Sequence, residues 1–311
     1  MDLRVLQNFL LVAETLNFRR ASEQAFIAQP ALSRQIQQLE EQLGATLFNR
    51  TKRSVTLTPA GVYFRSEAER LVNGFRQSCR RTAEIHRGEA GEIRIGHATS
   101  AMQSILPRLL VKIHAQRPGL KVYLNEVSNK EQLDLLTNRD LDVGFAPNIV
   151  VPPDMDSRVV YEEPFVLILP ENHPLTPDTF TSLAQVANEE FVLPPRPVGA
   201  GYVETLFALC REAGFVPRIA YESAHTGSVQ RLVEAGLGVS IEPRSTLRGQ
   251  NLRIRAIELT NALYQVEMTA VWLRDRTAEL APFFALLDGV LPTDGRFPVH
   301  ESSEDQAKFA S

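Results

Sequence analysis

Leu32, Ile36, Leu39 and Leu43 recur at spacings of three and four, which on a helix makes one apolar stripe, while Ser33, Arg34, Gln37 and Gln38 fall largely off it. This spacing predicts a helix whose stripe packs inward and whose polar residues face out. Pro30 suits a first helical turn, where its missing N–H is not needed, so the helix is expected to begin near Gln29 or Pro30. A shorter helix over 18–25 precedes it, with small Ala21 and Ser22 where two helices can cross closely. After Gly44 the period shortens. Leu47 and Phe48, then Val55 and Leu57, predict two short strands around a basic tip that holds Arg50, Lys52 and Arg53.

From 59 to about 88 the helical period returns. Phe64, Ala68, Leu71, Phe75, Cys79 and then Thr82 or Ala83 follow three-and-four spacing, the seam of a coiled coil. About 30 residues at 1.5 Å each make a rod of roughly 45 Å. The same stripe also serves a helix that packs on its own domain. His86, Arg87, Gly88 and the following Glu89, Ala90 and Gly91 read as a helix end and hinge. Beyond Glu92, alternating segments such as Ile93 with Ile95 and Val122 with Leu124 exchange with helical ones such as 105–113 and 133–136. That rhythm continues through 266–273 and predicts an α/β region with largely parallel sheets. Its roughly 200 residues exceed one typical domain, which suggests two lobes.

Charge changes this picture in one respect. The chain carries a formal −4, yet residues 1–90 hold 13 Lys and Arg against 9 Asp and Glu, so a basic end is concealed in an acidic whole. A basic, compact helix-turn-helix with a hairpin wing points to DNA. The second helix would lie in a major groove and present its first residues to base edges, with the wing on phosphate or in a minor groove.

At this point several motifs fall in order. MDLRVLQNFLLVAETLNF, QPALSRQIQQLEEQLGATLFNR and VTLTPAG resemble the first helix, recognition helix with wing entry, and wing exit of the LysR-type bacterial transcriptional regulators. Ala25 departs from the usual Leu, and Ala28 stands where Ser often caps the recognition helix. A missing cap weakens a helix start by about 1 kcal/mol. Carried onto matching positions, the DNA contacts are Gln29, Pro30, Ser33, Arg34 and Gln37, with Arg50, Lys52 and Arg53 on the wing. Four further blocks, EIRIGHATSAMQSILPRLL, LDVGFA, EEPFVLILPENHPL and AGLGVSIEP, resemble the family's effector-binding region. The resemblance implies a fold that is α/β overall: a winged helix-turn-helix over 1–58, a dimerisation helix over 59–89, and a two-lobed effector domain over 90–292 shaped like a periplasmic binding protein. Lobe I takes 91–162 and 268–292, lobe II takes 163–267, and a polar tail over 293–311 is expected to be mobile and is given no role.

Open α/β sheets hold ligands beyond the C-terminal ends of their strands. The loops so placed give an effector set: Thr99, Ser100 and Met102 after the first strand, Ser128 and Asn129 before the next helix, Phe145, Ala146 and Pro147 at a third strand end, and Thr226 with Ser228 across the cleft. Hydroxyls and the unpaired N–H groups of helix starts hold carboxylates well, although Ser, Thr and Asn are equally at home as helix caps. Arg196, in LPPRPVGAG, offers an anion a fixed fork or lies on the surface. The expected effector is a small organic anion, with aromatic carboxylates the first class to try.

Other chemistries find no support. Gly199 with Gly201 and Gly236 with Gly238 are bare G-x-G fragments without the rest of a dinucleotide motif. His97, His114, His173 and His225 show no metal-ligand spacing, and no G-x-S-x-G elbow occurs. His97 alternates with Ile95 and reads as a hydrogen-bonded structural histidine rather than a cleft residue. Cys79 and Cys210 are explained by packing and suit a reducing compartment. No enzyme, cofactor or metal is expected, and without a signal peptide or spanning segment the expected place is the bacterial cytoplasm, on the nucleoid. The partners expected are double-stranded promoter DNA, a small-molecule effector and further copies of the chain, as a dimer of dimers, with RNA polymerase a further candidate. The alternative is a ligand-independent repressor that uses its α/β region only to oligomerise. A solute-binding or enzymatic protein with an incidental helix-turn-helix is a third class, which would show itself by turnover or export.

Overall fold

Asp2 and Asn17 explain where the first two helices begin. In the computed structural model, which describes residues 2–50, 54–86, 91–196, 201–249, 251–260 and 264–291, the Asp2 carboxylate accepts from the Arg4 N–H and opens α1 (Leu3–Thr15). The Asn17 side chain accepts from the N–H groups of Arg19 and Arg20 and opens α2 (Phe18–Gln24). Both caps satisfy donors that the first helical turn leaves unpaired. The next helix, α3 (Gln29–Leu43), has Ala28 at its cap position with no side-chain bond, and ends at Gly44 in the left-handed conformation. Strands β1 (Phe48–Arg50) and β2 (Val55–Leu57) pair antiparallel, and α4 (Pro59–His86) follows.

One small core unites these elements. Phe9 and Val12 of α1, Ala21 of α2, Leu32, Ile36 and Leu39 of α3, Leu47, Phe48, and Ala68 with Val72 of α4 are all buried together. Leu32, Ile36 and Leu39 of the α3 stripe therefore turn inward as their spacing predicts, while Leu43, in the last turn before Gly44, is exposed. The α4 stripe is divided, which corrects the single seam read from the sequence. Ala68 and Val72 pack on this core with half-buried Phe64, whereas Leu71 and Phe75 are each about half exposed. A helix with a 3.6-residue period presents two adjacent apolar faces, and only one is used within the unit. Cys79 lies exposed on α4.

Thr58 and Gly61 fix the passage from wing to α4. The Thr58 hydroxyl donates to the Thr46 carbonyl and accepts from the Gly61 N–H. A Cβ on Gly61 would stand 2.1 Å from the Leu47 carbonyl oxygen, so glycine alone allows this approach. Glu40 pins the other side of the wing by accepting from the N–H groups of Leu47 and Phe48 through one oxygen and from Arg50 through the other.

The chain divides into two compact units, 1–88 with 137–140 and 89–136 with 141–311. The second unit begins with β3 (Glu92–His97), α5 (Thr99–Met102), α6 (Ile105–Gln116), β4 (Lys121–Glu126), α7 (Asn129–Thr137), β5 (Val143–Pro147) and β6 (Met155–Glu163). Pro164 leads directly into β7 (Phe165–Pro170), after which come β8 (Glu190–Leu193), α8 (Tyr202–Glu212), β9 (Arg218–Glu222), α9 (Thr226–Glu234), β10 (Ser240–Pro243) and β11 (Ile254–Glu258). The chain then returns through β12 (Val266–Leu273) and α10 (Thr277–Asp288).

These strands form two lobes. One is the five-stranded sheet β4-β3-β5-β12-β6, and the other holds β10-β7-β11 with the β8-β9 pair, which a bridge from Phe191 to Val239 joins to β10's approach. Each lobe has a core of its own, around Ile95, Leu109, Phe145 and Trp272 in the first and Phe165, Phe191, Leu206 and Ile241 in the second. The expectation of largely parallel sheets is corrected here. Named parallel pairs are β3 with β4 and β5, and β8 with β9, while β12 runs antiparallel to β5 and β6, and β7 antiparallel to β10 and β11. The reason is the double crossing. β3 and β5 run one way through the first lobe, and β12 re-enters it from the other lobe and so runs against them. The parallel expectation rested on β-α-β crossovers alone, and these two connections bypass that unit.

Candidate functional sites

The first unit carries a polar helix face. Gln29, Pro30, Arg34 and Gln37 of α3 are exposed and Ser33 is half-buried, on the side away from the buried stripe. Arg34 makes no ion pair among the described residues. Arg50 is placed differently, with its guanidinium 2.6 Å from Glu40 and 4.8 Å over the Phe18 ring. Those contacts hold its side chain against α3 and α2 with part of the group still open to solvent. Lys52 and Arg53 lie outside the described residues, as does the segment 293–311.

Between the lobes of the second unit lies a cavity of about 290 Å³. Three helix starts border it: Thr99 and Ser100 at α5, Ser128 and Asn129 at α7, and His225 with Thr226 at α9. Pro147, ending β5, closes that side. Of the effector set expected from the sequence, Thr99, Ser100, Ser128, Asn129, Pro147 and Thr226 line this one cavity. Their hydroxyls and amides are already partly engaged. Thr99 Oγ1 donates to Glu126 Oε1 at 2.6 Å, Ser128 Oγ accepts from the Glu131 N–H, and Asn129 Nδ2 donates to the Pro147 carbonyl. Ser128 is thus a helix cap as well as a wall residue.

The remaining members of the set are absent from the cavity lining. Phe145 and Ala146 are fully buried, Phe145 edge-on to Phe283 in the first lobe's core, because β5 is enclosed on both faces. Met102 packs against that same core. Ser228 is exposed, and Arg196 is exposed with its guanidinium 4.0 Å over the Phe207 ring. His97 is buried outside the cavity lining, its Nδ1 near the Ala98 carbonyl, and burial holds its pKa below the ordinary value.

Sequence reasoning missed the acidic and strand-borne part of the wall. Glu126 and Glu131 line the first lobe's side, and Tyr202, Ser240, Glu242 and Thr246 line the second's. Glu242 is 4 % exposed, and both its donors, Gln230 Nε2 at 2.8 Å and Thr246 Oγ1 at 2.9 Å, reach Oε2. Burial pushes its carboxyl up to about 7 against the lowering effect of those bonds. Burial, with the Glu242 and Glu163 carboxylates, holds the Tyr202 phenol well above its ordinary range, so it remains a proton donor. The signal was present in AGLGVSIEP. Val239 and Ile241 go to the core, so the alternate Ser240 and Glu242 face the other way.

Where the chain crosses between lobes, a buried polar chain meets the cavity floor. Glu163 accepts from both the N–H and the hydroxyl of Ser245, at 2.8 and 2.7 Å. The Ser245 hydroxyl also lies 3.3 Å from the Ser100 carbonyl, which accepts from Ser104 as well, and Ser104 bonds the Tyr161 phenol at 2.6 Å. Desolvation raises the Glu163 pKa despite the Ser245 bonds. Cys210 is fully buried on α8, and burial pushes its thiol up to about 12, which leaves it an unreactive packing group.

Comparison with known proteins agrees in both units. Residues 3–62 match the family model described as bacterial regulatory helix-turn-helix protein, lysR family, and residues 86–291 match the LysR substrate binding domain. The chain is 35% identical to the HTH-type transcriptional regulator YnfL of Escherichia coli over 88% of this chain and 92% of that protein. It is 31% identical to the HTH-type transcriptional regulator AlsR of Bacillus subtilis over 88% of this chain and 89% of that one. Among solved structures, full-length CbnR complexed with its target DNA superposes with a TM-score of 0.67 at 25% identity, covering 94% of this chain and 99% of that one.

Proposed function

We infer that this chain, which belongs to the LysR family of transcription regulators, answers a small organic anion held between the lobes of its second unit. Membership makes it a DNA-binding regulator with an effector-binding domain, in a family of regulators rather than enzymes. In the finer reading, Gln29, Pro30, Ser33, Arg34 and Gln37 meet a major groove, and Arg50, Lys52 and Arg53 meet phosphate or a minor groove. The exposed Leu71 and Phe75 of α4 support pairing with a second copy, and two such pairs would form a tetramer on a two-part operator. Effector binding shifts lobe closure, rearranges the pairs and changes DNA bending at a promoter on the nucleoid, where RNA polymerase is a further partner. A ligand achieves this only to the extent that it binds one arrangement better than the other.

The observation that carries the effector reading is the convergence of the starts of α7 and α9 on one cavity, beside the hydroxyls of Thr99 and Ser100 on the single turn of α5. First-turn N–H groups lack intrahelical partners, and the helix dipole favours negative charge there. The test is footprinting of the full-length protein on DNA upstream of its own gene, at fixed salt, with and without a panel of aromatic and aliphatic carboxylates. The reading predicts a footprint or bend that changes with one class of carboxylate. Binding that ignores all of them favours a ligand-independent repressor.

A further inference from the structure

We propose that the effector carries a cationic nitrogen as well as an anionic group, a zwitterion of the amino-acid kind, with the nitrogen lodged against Ser240 and Glu242. The proposal rests on the cleft being the effector site and specifies the second pole of its ligand.

Charge gives the first reason. Glu126, Glu131 and Glu242 line the cavity, and no Lys or Arg does so among its described lining residues. An effector that is only an anion would meet three carboxyl groups with helix starts and His225 as the sole offset. The starts of α7 and α9 supply partial charge, about half an elementary charge each, and α5 is a single turn that adds less. A ligand with a carboxylate for the start of α7, at Ser128 and Asn129, and an ammonium for the acidic wall suits both features.

The second reason is independent of charge. Ser240 is fully buried and its Oγ has no hydrogen-bond partner, yet Ser240 is part of the cavity wall. A buried hydroxyl is unfavourable unless it is bonded. Two positions along β10, on the same side of the strand, stands Glu242. Its Oε2 takes both the Gln230 and Thr246 donors, and no donor among the described residues reaches Oε1. One open carboxylate oxygen and one open hydroxyl oxygen thus sit side by side on the strand. An ammonium has three N–H donors and no acceptor, so it answers both oxygens at once. Tyr202 supplies an aromatic surface to the same cavity, which also favours a cation.

Matched ligands test this with the full-length protein by titration calorimetry at pH 8. Each set holds an amino acid, the acid lacking its amine and the amine lacking its carboxylate: phenylalanine with 3-phenylpropionate and phenethylamine, leucine with 4-methylpentanoate and isopentylamine, and likewise for the remaining apolar, polar and basic amino acids. The proposal expects at least one amino acid to bind about tenfold more tightly than either truncated partner. Glu242→Gln, which still accepts from Gln230 and Thr246, is expected to remove that advantage, with the deamino acid binding no more weakly than it does to the parent protein. Ser240→Ala should act in the same direction by about threefold, and both variants should keep a cooperative unfolding transition. If a deamino acid binds as tightly as its amino acid and Glu242→Gln is neutral or favourable, the nitrogen pole is wrong and the organic-anion reading stands. Should an amine alone bind as tightly as its amino acid, the anion reading falls and the zwitterion with it. Binding by no member of the panel overturns both.

Discussion

The two units keep their polar chemistry in opposite places. In the first, Gln29, Arg34 and Gln37 stand outside a helix that buries Leu32, Ile36 and Leu39. In the second, Ser240 and Glu242 are buried in the wall of a cavity, and Ser245 and Glu163 are buried where the chain crosses between the lobes. A surface that reads a long polyanion needs exposed donors on a rigid helix and little else. A cleft that selects one small molecule needs polar groups out of water, where each is stabilising only when paired. The first unit should therefore tolerate changes to its polar face without loss of fold, whereas the second stores its selectivity in groups that also set its stability.

The sharpest way to break that contrast is at the close backbone approach of Gly61 to Leu47 in the first unit. Gly61→Ala would bring a Cβ within 2.1 Å of the Leu47 carbonyl, and backbone on both sides cannot yield cheaply. It is expected to destabilise the first unit by about 3 kcal/mol or more. Calorimetry should show an early transition and lost DNA binding, with the second unit's transition unmoved. A single unchanged transition would mean that the wing does not depend on this approach.

Glu242 gives an effect of similar size and opposite sign. Its carboxyl is pushed up to about 7 from an ordinary 4.5, so across that window the folded chain holds a proton that the unfolded chain has released. Stability accordingly falls as pH rises from about 4.5 to 7 and stays at the lower level above it. Glu242→Gln should remove this slope and stabilise the second unit by roughly 3 kcal/mol above pH 7. Tyr202, which Glu242 helps to hold well above its ordinary range, stays protonated throughout this window and adds no slope of its own. Urea unfolding at pH 5, 6, 7 and 8 reads the difference, and parallel pH profiles for the two proteins would refute it.

On the DNA-reading face, Arg34→Ala should weaken operator binding by about 1–3 kcal/mol while ligand affinity and unfolding temperature stay put. Equal weakening on operator and random DNA would assign Arg34 to phosphate rather than to a base. The smallest change is Ala28→Ser, which gives α3 the cap it lacks. It should add about 1 kcal/mol to the first unit, visible as a raised midpoint in urea.

The same contrast explains what could be read from the chain itself. The helix at Gln29, the wing strands and the strand-helix exchange beyond Glu92 follow from periodicity, because each element buries a local stripe. Two things escaped it. The antiparallel entry of β12 depends on a crossing between lobes that no local window contains, and the division of the α4 stripe depends on how wide a face the first unit's core takes. In the cleft, Thr99, Ser128 and Thr226 were legible as helix starts after strands. Glu126 and Glu242 were not, since a lone glutamate within a strand pattern reads as a solvated edge until the opposite lobe is in place. Phe145 and Ala146 were drawn from the right segment, but β5 is enclosed on both faces and holds them in the core, while Met102 ends α5 packed against that same core.

The central claim is that what the cleft holds changes how the first unit reads DNA. Coupling of this kind is reciprocal by thermodynamic necessity, so it can be measured from the ligand's side. The direct experiment is the ligand dissociation constant of the full-length protein, for the tightest member of the matched panel, with and without saturating operator DNA. The account predicts a shift of about fivefold or more between the two states. Identical constants, with ligand clearly bound in both, would contradict it.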